Sequence, residues 1–159
     1  MNAPIHDGNP KSAASAVRMP LFPVGAEDLR CSPSRHILIV DDDPLWRDLV
    51  AVAMAEAGYH ADTAHDGVEG WNALCQRNYD LVITDNEMPG LDGISLIKRL
   101  RANKDAPPCI LITANLPCPE SSLAEILRPV PVLEKPFSCP DLIEEVFSLL
   151  LRGGSPSSC

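Results

Sequence analysis

The chain has 159 residues, 45% of them hydrophobic and 22% charged, with a formal net charge of −9. That length and composition fit one globular domain with extensions. Acidity of this degree argues against direct nucleic-acid binding and in favour of cations or a basic partner surface. The charge is unevenly spread: residues 1–35 hold four basic and three acidic residues, whereas residues 36–151 hold eight and nineteen. The six cysteines, at 31, 75, 109, 118, 139 and 159, form no C-x-x-C pair and no Cys/His zinc pattern, so reduced thiols and a cytoplasmic setting are expected. Neither a secretory leader nor a membrane-spanning run of roughly 18 apolar residues is visible.

Residues 1–35, with five prolines and no sustained period, read as a mostly disordered arm, with a short turn at AEDLR. HILIV (36–40) is a continuous apolar run, the pattern of a strand buried on both faces. Asp43 and Pro44 then read as the cap and first residue of a helix. That helix runs to about Ala57, with Leu45, Leu49, Val52 and Ala53 on one stripe, and Gly58 stops it. YHADTA (59–64) alternates as a weaker strand, and 67–77 is a helix. DLVIT (80–84) is a second buried strand, 94–102 a helix, and CILIT (109–113) a third buried strand. A short helix at 121–128 is crowded by Pro117, Pro119, Pro129 and Pro131. VPVLE (130–134) is a strand and 139–151 a closing helix, followed by a flexible tail at 152–159. Strands alternating with helices over 36–151 predict a doubly wound parallel sheet covered on both faces.

In such sheets the chemistry gathers beyond the carboxyl ends of the strands. The apolar runs here end at Asp41, Asp42 and Asp43, at Asp85, at Thr113 and at Lys135. Aspartates ionise near about pH 3.9, and packed together they raise one another's pKa unless a cation intervenes. An all-oxygen carboxylate set suits Mg²⁺. Thr113 and Lys135 add a hydroxyl and a positive charge for an anionic ligand. The inventory fits phosphoryl transfer to a carboxylate nucleophile. Taken singly the same residues are ordinary: Asp43 is a helix cap rather than a ligand, Thr113 a strand residue, Lys135 a loop lysine. Their joint placement carries the reading. His36, His60 and His65 show no partner pattern and read as structural or surface residues. Trp46 and Trp71 read as partly buried helix packing.

The set VDDDP, DLVITDNEMPGLDG, ILITA and LEKPF resembles the receiver domain of bacterial two-component response regulators, over about residues 36–151. The resemblance implies a flavodoxin-like sheet of order 2-1-3-4-5 with five helices. It implies that Asp85 is the phospho-acceptor and that Mg²⁺ is held by Asp42, Asp85 and the backbone carbonyl of Glu87, with Asp41 acting through water. Thr113 matches the switch hydroxyl and Lys135 the phosphate-contacting lysine, whose bond to Pro136 is usually cis in the family. Glu87 and Asn115, two residues after Asp85 and Thr113, are candidate modulators. The implied partner is a sensor histidine kinase or a histidine phosphotransfer protein, with no nucleic acid and no membrane, and output by protein contact or onward phosphotransfer from a stand-alone domain. Such a protein modifies itself rather than turning over a substrate. Two departures stand out. Val132 occupies the place where the family carries an aromatic, and RPVPV replaces the Gly-Ala turn before the last strand. Val132 leaves room for an interaction module of the same fold that no longer uses phosphate. An Asp-nucleophile phosphatase of the haloacid-dehalogenase type would need D-x-D-x-T after the first strand, and DDDPLW lacks it.

Overall fold

The computed structural model describes residues 35–115 and 127–153. The expected arm up to Ser34, most of the helix at 121–128, and the tail at 154–159 lie outside the described residues. Five strands are described: β1 (His36–Val40), β2 (His60–Ala64), β3 (Leu81–Asp85), β4 (Cys109–Thr113) and β5 (Val132–Glu134). Four helices are described: α1 (Pro44–Glu56), α2 (Gly67–Gln76), α3 (Gly93–Arg101) and α4 (Cys139–Gly153). All neighbouring strands pair in parallel, as the alternating pattern predicts, in the order β2-β1-β3-β4-β5 that the resemblance implies.

The three central strands are almost wholly buried, which explains why they read as unbroken apolar runs. Successive side chains point to opposite faces of the sheet. Leu38, Val40, Val82 and Leu111 therefore build one core with α2 and α3, and Ile37, Ile39, Ile83, Ile110 and Ile112 build the other with α1 and α4. Each such side chain, fully buried, contributes about 1.5–3 kcal/mol of transfer free energy. Edge strand β2 is only partly covered, in keeping with its weaker pattern.

Local signals set the helix starts. Asp43, Asp66 and Asp92 cap α1, α2 and α3 by accepting from the backbone N–H of Leu45, Glu69 and Ser95, satisfying donors that the first turn leaves free. Gly58 follows α1 with φ +91°, a conformation that costs glycine nothing.

Three expectations need correction. Of the stripe expected on α1 only Ala53 is buried, together with Val50 and Met54, while Leu45, Leu49 and Val52 are exposed. The helix is apolar around much of its circumference, so periodicity alone selects the wrong stripe. Strand β5 begins at Val132 rather than 130. Pro131 has no N–H to give a ladder, though its carbonyl accepts from Leu111 N at 2.9 Å. Helix α4 continues to Gly153, two residues past the predicted end.

Candidate functional site

The site is assembled from strand ends. Asp41 directly follows β1, Asp85 closes β3, Thr113 closes β4, and Lys135 directly follows β5. Parallel pairing in this order delivers residues up to 94 positions apart to one edge. The Lys135 ammonium bridges two carboxylates, 2.7 Å from Asp85 Oδ1 and 3.0 Å from Asp41 Oδ2. The carboxylates are nearly enclosed, at 4% and 5% side-chain exposure, and Lys135 is at 15%. Their remaining oxygens are also engaged. Asp43 N donates to Asp41 Oδ1 at 2.9 Å, and Glu87 N donates to Asp85 Oδ2 at 2.6 Å.

Burial raises the Asp41 pKa above the usual carboxylate value, against the lowering effect of Lys135 and the Asp43 N–H. For Lys135, burial disfavours the cation, but the bonds to Asp85 and Asp41 outweigh it and raise the ammonium pKa. The ammonium is thus held charged, facing two acids that its single charge does not fully neutralise.

The other predicted residues are placed differently. Asp42 is exposed on the rim, and its carboxylate makes no hydrogen bond or ion pair among the described residues. Thr113 is fully buried. Its hydroxyl donates to Asn115 O at 2.9 Å and accepts from Asn115 N at 3.1 Å, closing a local turn rather than reaching Asp85. Asn115 Nδ2 donates to Glu87 Oε1 at 2.6 Å, so the two candidate modulators meet across the mouth of the site. The Lys135–Pro136 bond is cis, as the resemblance implies. Among the described residues, no three His, Cys, Asp or Glu side chains gather as a metal cage. The oxygen-only set of Asp41, Asp42, Asp85 and the Glu87 carbonyl nevertheless fits Mg²⁺, which holds few protein ligands and keeps waters.

Three further residues surround the site: Trp46, which its spacing from Asp42 places near the mouth, and Arg47 and Phe137, which the sequence did not assign to it. Arg47 Nη1 donates to Asp41 O at 2.8 Å. Trp46 lies with its ring centroid 5.3 Å from Lys135 Nζ, and the Phe137 ring is 5.2 Å from the Trp46 ring. The signal was spacing: Trp46 and Arg47 fall one helical turn past the aspartates, and Phe137 two residues past Lys135. The histidines also find partners. His36 and His60 stack at 5.0 Å, and His65 meets Glu69 one turn along α2.

Residues 37–147 match the family described as the response regulator receiver domain. The chain is 32% identical over 123 residues to transcriptional regulatory protein FixJ of Bradyrhizobium diazoefficiens, covering 77% of this chain and 60% of that protein. It is 42% identical over 79 residues to sensor histidine kinase RcsC of Escherichia coli, covering 50% of this chain and 8% of that protein. It spans less than two thirds of the length of these curated relatives. Among solved structures it is similar to response regulator TrrA of Thermotoga maritima, crystallised in complex with Mg²⁺-BeF. The identity is 36% and the TM-score 0.65, over 72% of this chain and 98% of that one. With most of its length matching that family and its strand order agreeing with it, the chain belongs to the response regulator receiver domains of two-component signal transduction.

Proposed function

We propose that Asp85 accepts a phosphoryl group from a phosphohistidine on a sensor histidine kinase or histidine phosphotransfer protein. An Asp85 carboxylate oxygen attacks phosphorus, an O–P bond forms, the N–P bond breaks, and the electron pair leaves with the imidazole nitrogen. Lys135 lies against the attacking carboxylate and is placed to offset the incoming negative charge. Thr113 would meet the phosphoryl oxygens by giving up its bond to Asn115 O. Asp42, Asp85 and the Glu87 carbonyl would hold Mg²⁺, with Asp41 acting through water; when bound, the ion would supply charge neutralisation for the transferring group. The product is the modified protein itself, so the domain is not a turnover enzyme. Its output would be a protein contact or onward phosphotransfer from a cytoplasmic chain. No described helix is long and apolar enough to cross a membrane.

The observation that carries this reading is the Lys135 bridge between Asp41 and Asp85. Acetyl phosphate with Mg²⁺ is expected to label the wild-type protein, and Asp85→Asn is expected to take no label. Equal labelling of both would remove Asp85 from the role. Glu87 and Asn115, joined over the mouth, would set how long the acyl phosphate lasts. Glu87→Gln should shift the dephosphorylation rate, and an unchanged rate excludes that role.

Val132 supports a second reading. It pairs with Leu111 and is only half-buried, in a place where the family carries an aromatic. An interaction module that ignores phosphate would take no label in either protein.

A further inference from the structure

We infer that Trp46 is a positioning residue: its indole face, braced by Phe137, holds the Lys135 ammonium between the Asp41 and Asp85 carboxylates. This inference deepens the phospho-acceptor reading and rests on it for its consequence, though not for its geometry.

Lysine carries its charge on a flexible four-carbon stem, and a tip in solvent samples many rotamers. The tip of Lys135 does not have that freedom. Carboxylates stand 2.7 and 3.0 Å away, and the Trp46 ring lies 5.3 Å from the nitrogen. A cation within about 6 Å of an indole face is attracted by the negative face of the ring, and tryptophan is the strongest of the aromatic partners. The ring also occupies volume that water would otherwise fill, which strengthens the ion pairs behind it.

The platform under the ring is tied down at three points. Trp46 lies in the first turn of α1, whose start is fixed by the Asp43 cap. Arg47, its neighbour, is bonded to Asp41 O at the end of β1, so this turn and the carboxylate it serves move together. Phe137 follows Lys135 by two residues, and its ring meets Trp46 with a 33° tilt. The lysine loop therefore touches α1 twice, once through the ammonium and once through the aromatic pair. An ordinary packing tryptophan would make the second contact without needing the first.

Three variants separate positioning from packing. Trp46→Phe keeps an aromatic face, whereas Trp46→Leu keeps apolar volume alone. With acetyl phosphate and Mg²⁺, Trp46→Leu is expected to slow labelling of Asp85 by about tenfold and Trp46→Phe by much less. In a Lys135→Met background, Trp46→Leu should cost nothing further, because the group it positions is gone. Equal loss in the two Trp46 variants, or the same loss with and without Lys135, overturns the proposal. A second measurement needs no phosphodonor or metal. The chain has two tryptophans, so Trp71→Phe leaves Trp46 as the sole reporter. Lys135→Met in that background should then change the Trp46 fluorescence intensity and emission maximum. An unchanged spectrum overturns the contact. Should the wild type take no label while the spectrum responds, the functional reading fails and the positioning geometry stands.

Discussion

Ion pairs occur at the carboxyl edge of the sheet and on the flank of edge strand β2, but the two places are built differently. At the carboxyl edge, Lys135 faces Asp41 and Asp85 with at most 15% of any side chain exposed. On the flank, Arg77 meets Asp62 at 2.5 Å, with 48% and 40% exposed. The distances are alike and the surroundings are not. Water screens the outer pair and can solvate either member left alone. At the inner site a carboxylate left alone has little water and must find a proton or another cation. Proximity of charges therefore does not mark the functional place; charges that cannot be removed singly without large cost do.

The comparison can be broken from the inner side. Lys135→Ala should lower unfolding stability at neutral pH by about 3 kcal/mol, since it strands two enclosed carboxylates. Chemical denaturation checks it. The loss should shrink as pH falls into the carboxylate range. Asp41, whose pKa burial raises, takes up a proton before the unfolded chain does, so acidification favours the folded variant. A loss that is small and independent of pH would mean that the inner site is as well hydrated as the outer one. Next in size is Gly93→Ala. A Cβ there would lie 2.2 Å from Asp85 O, so α3 or the end of β3 must shift, at about 2 kcal/mol. Thermal melting would show a fall of several degrees, and an unchanged melt would refute the close approach. The smallest effect belongs to the flank. Arg77→Ala should cost about 0.5 kcal/mol, even with its cation over the Tyr79 ring. A cost near that of Lys135→Ala would erase the distinction.

Much of the inner site is legible in the sequence. The strands β1, β3 and β4 announce themselves because burial on both faces leaves no polar alternation. Their terminal residues then name Asp41, Asp85 and Thr113. Lys135 was placed by its motif and its position at the end of a short strand. What escaped was whatever depends on side-chain direction. The expected stripe Leu45, Leu49, Val52, Ala53 and the buried set Val50, Ala53, Met54 share only Ala53, and only the docking of α1 on the sheet selects the second. The chain order places Thr113 at the end of β4, but not the bonds by which its hydroxyl closes a turn with Asn115. Its spacing from Asp42 puts Trp46 near the mouth of the site, but nothing in the chain order connects it with Lys135. Where β5 begins was hidden by Pro131, which accepts a hydrogen bond without being able to return one.

One backbone contact has a consequence for how this chain can diverge. Lys135 N donates to Thr113 O at 2.8 Å, one residue past Glu134, which pairs with Thr113 at the end of β5. That bond closes a ring through everything between the two residues, the proline-rich stretch included. Inside the ring, Leu127 is buried and Val132 pairs with Leu111, so substitutions at these positions reach the clasp. The clasp ties the backbones that carry the ammonium and the hydroxyl to each other through a single bond.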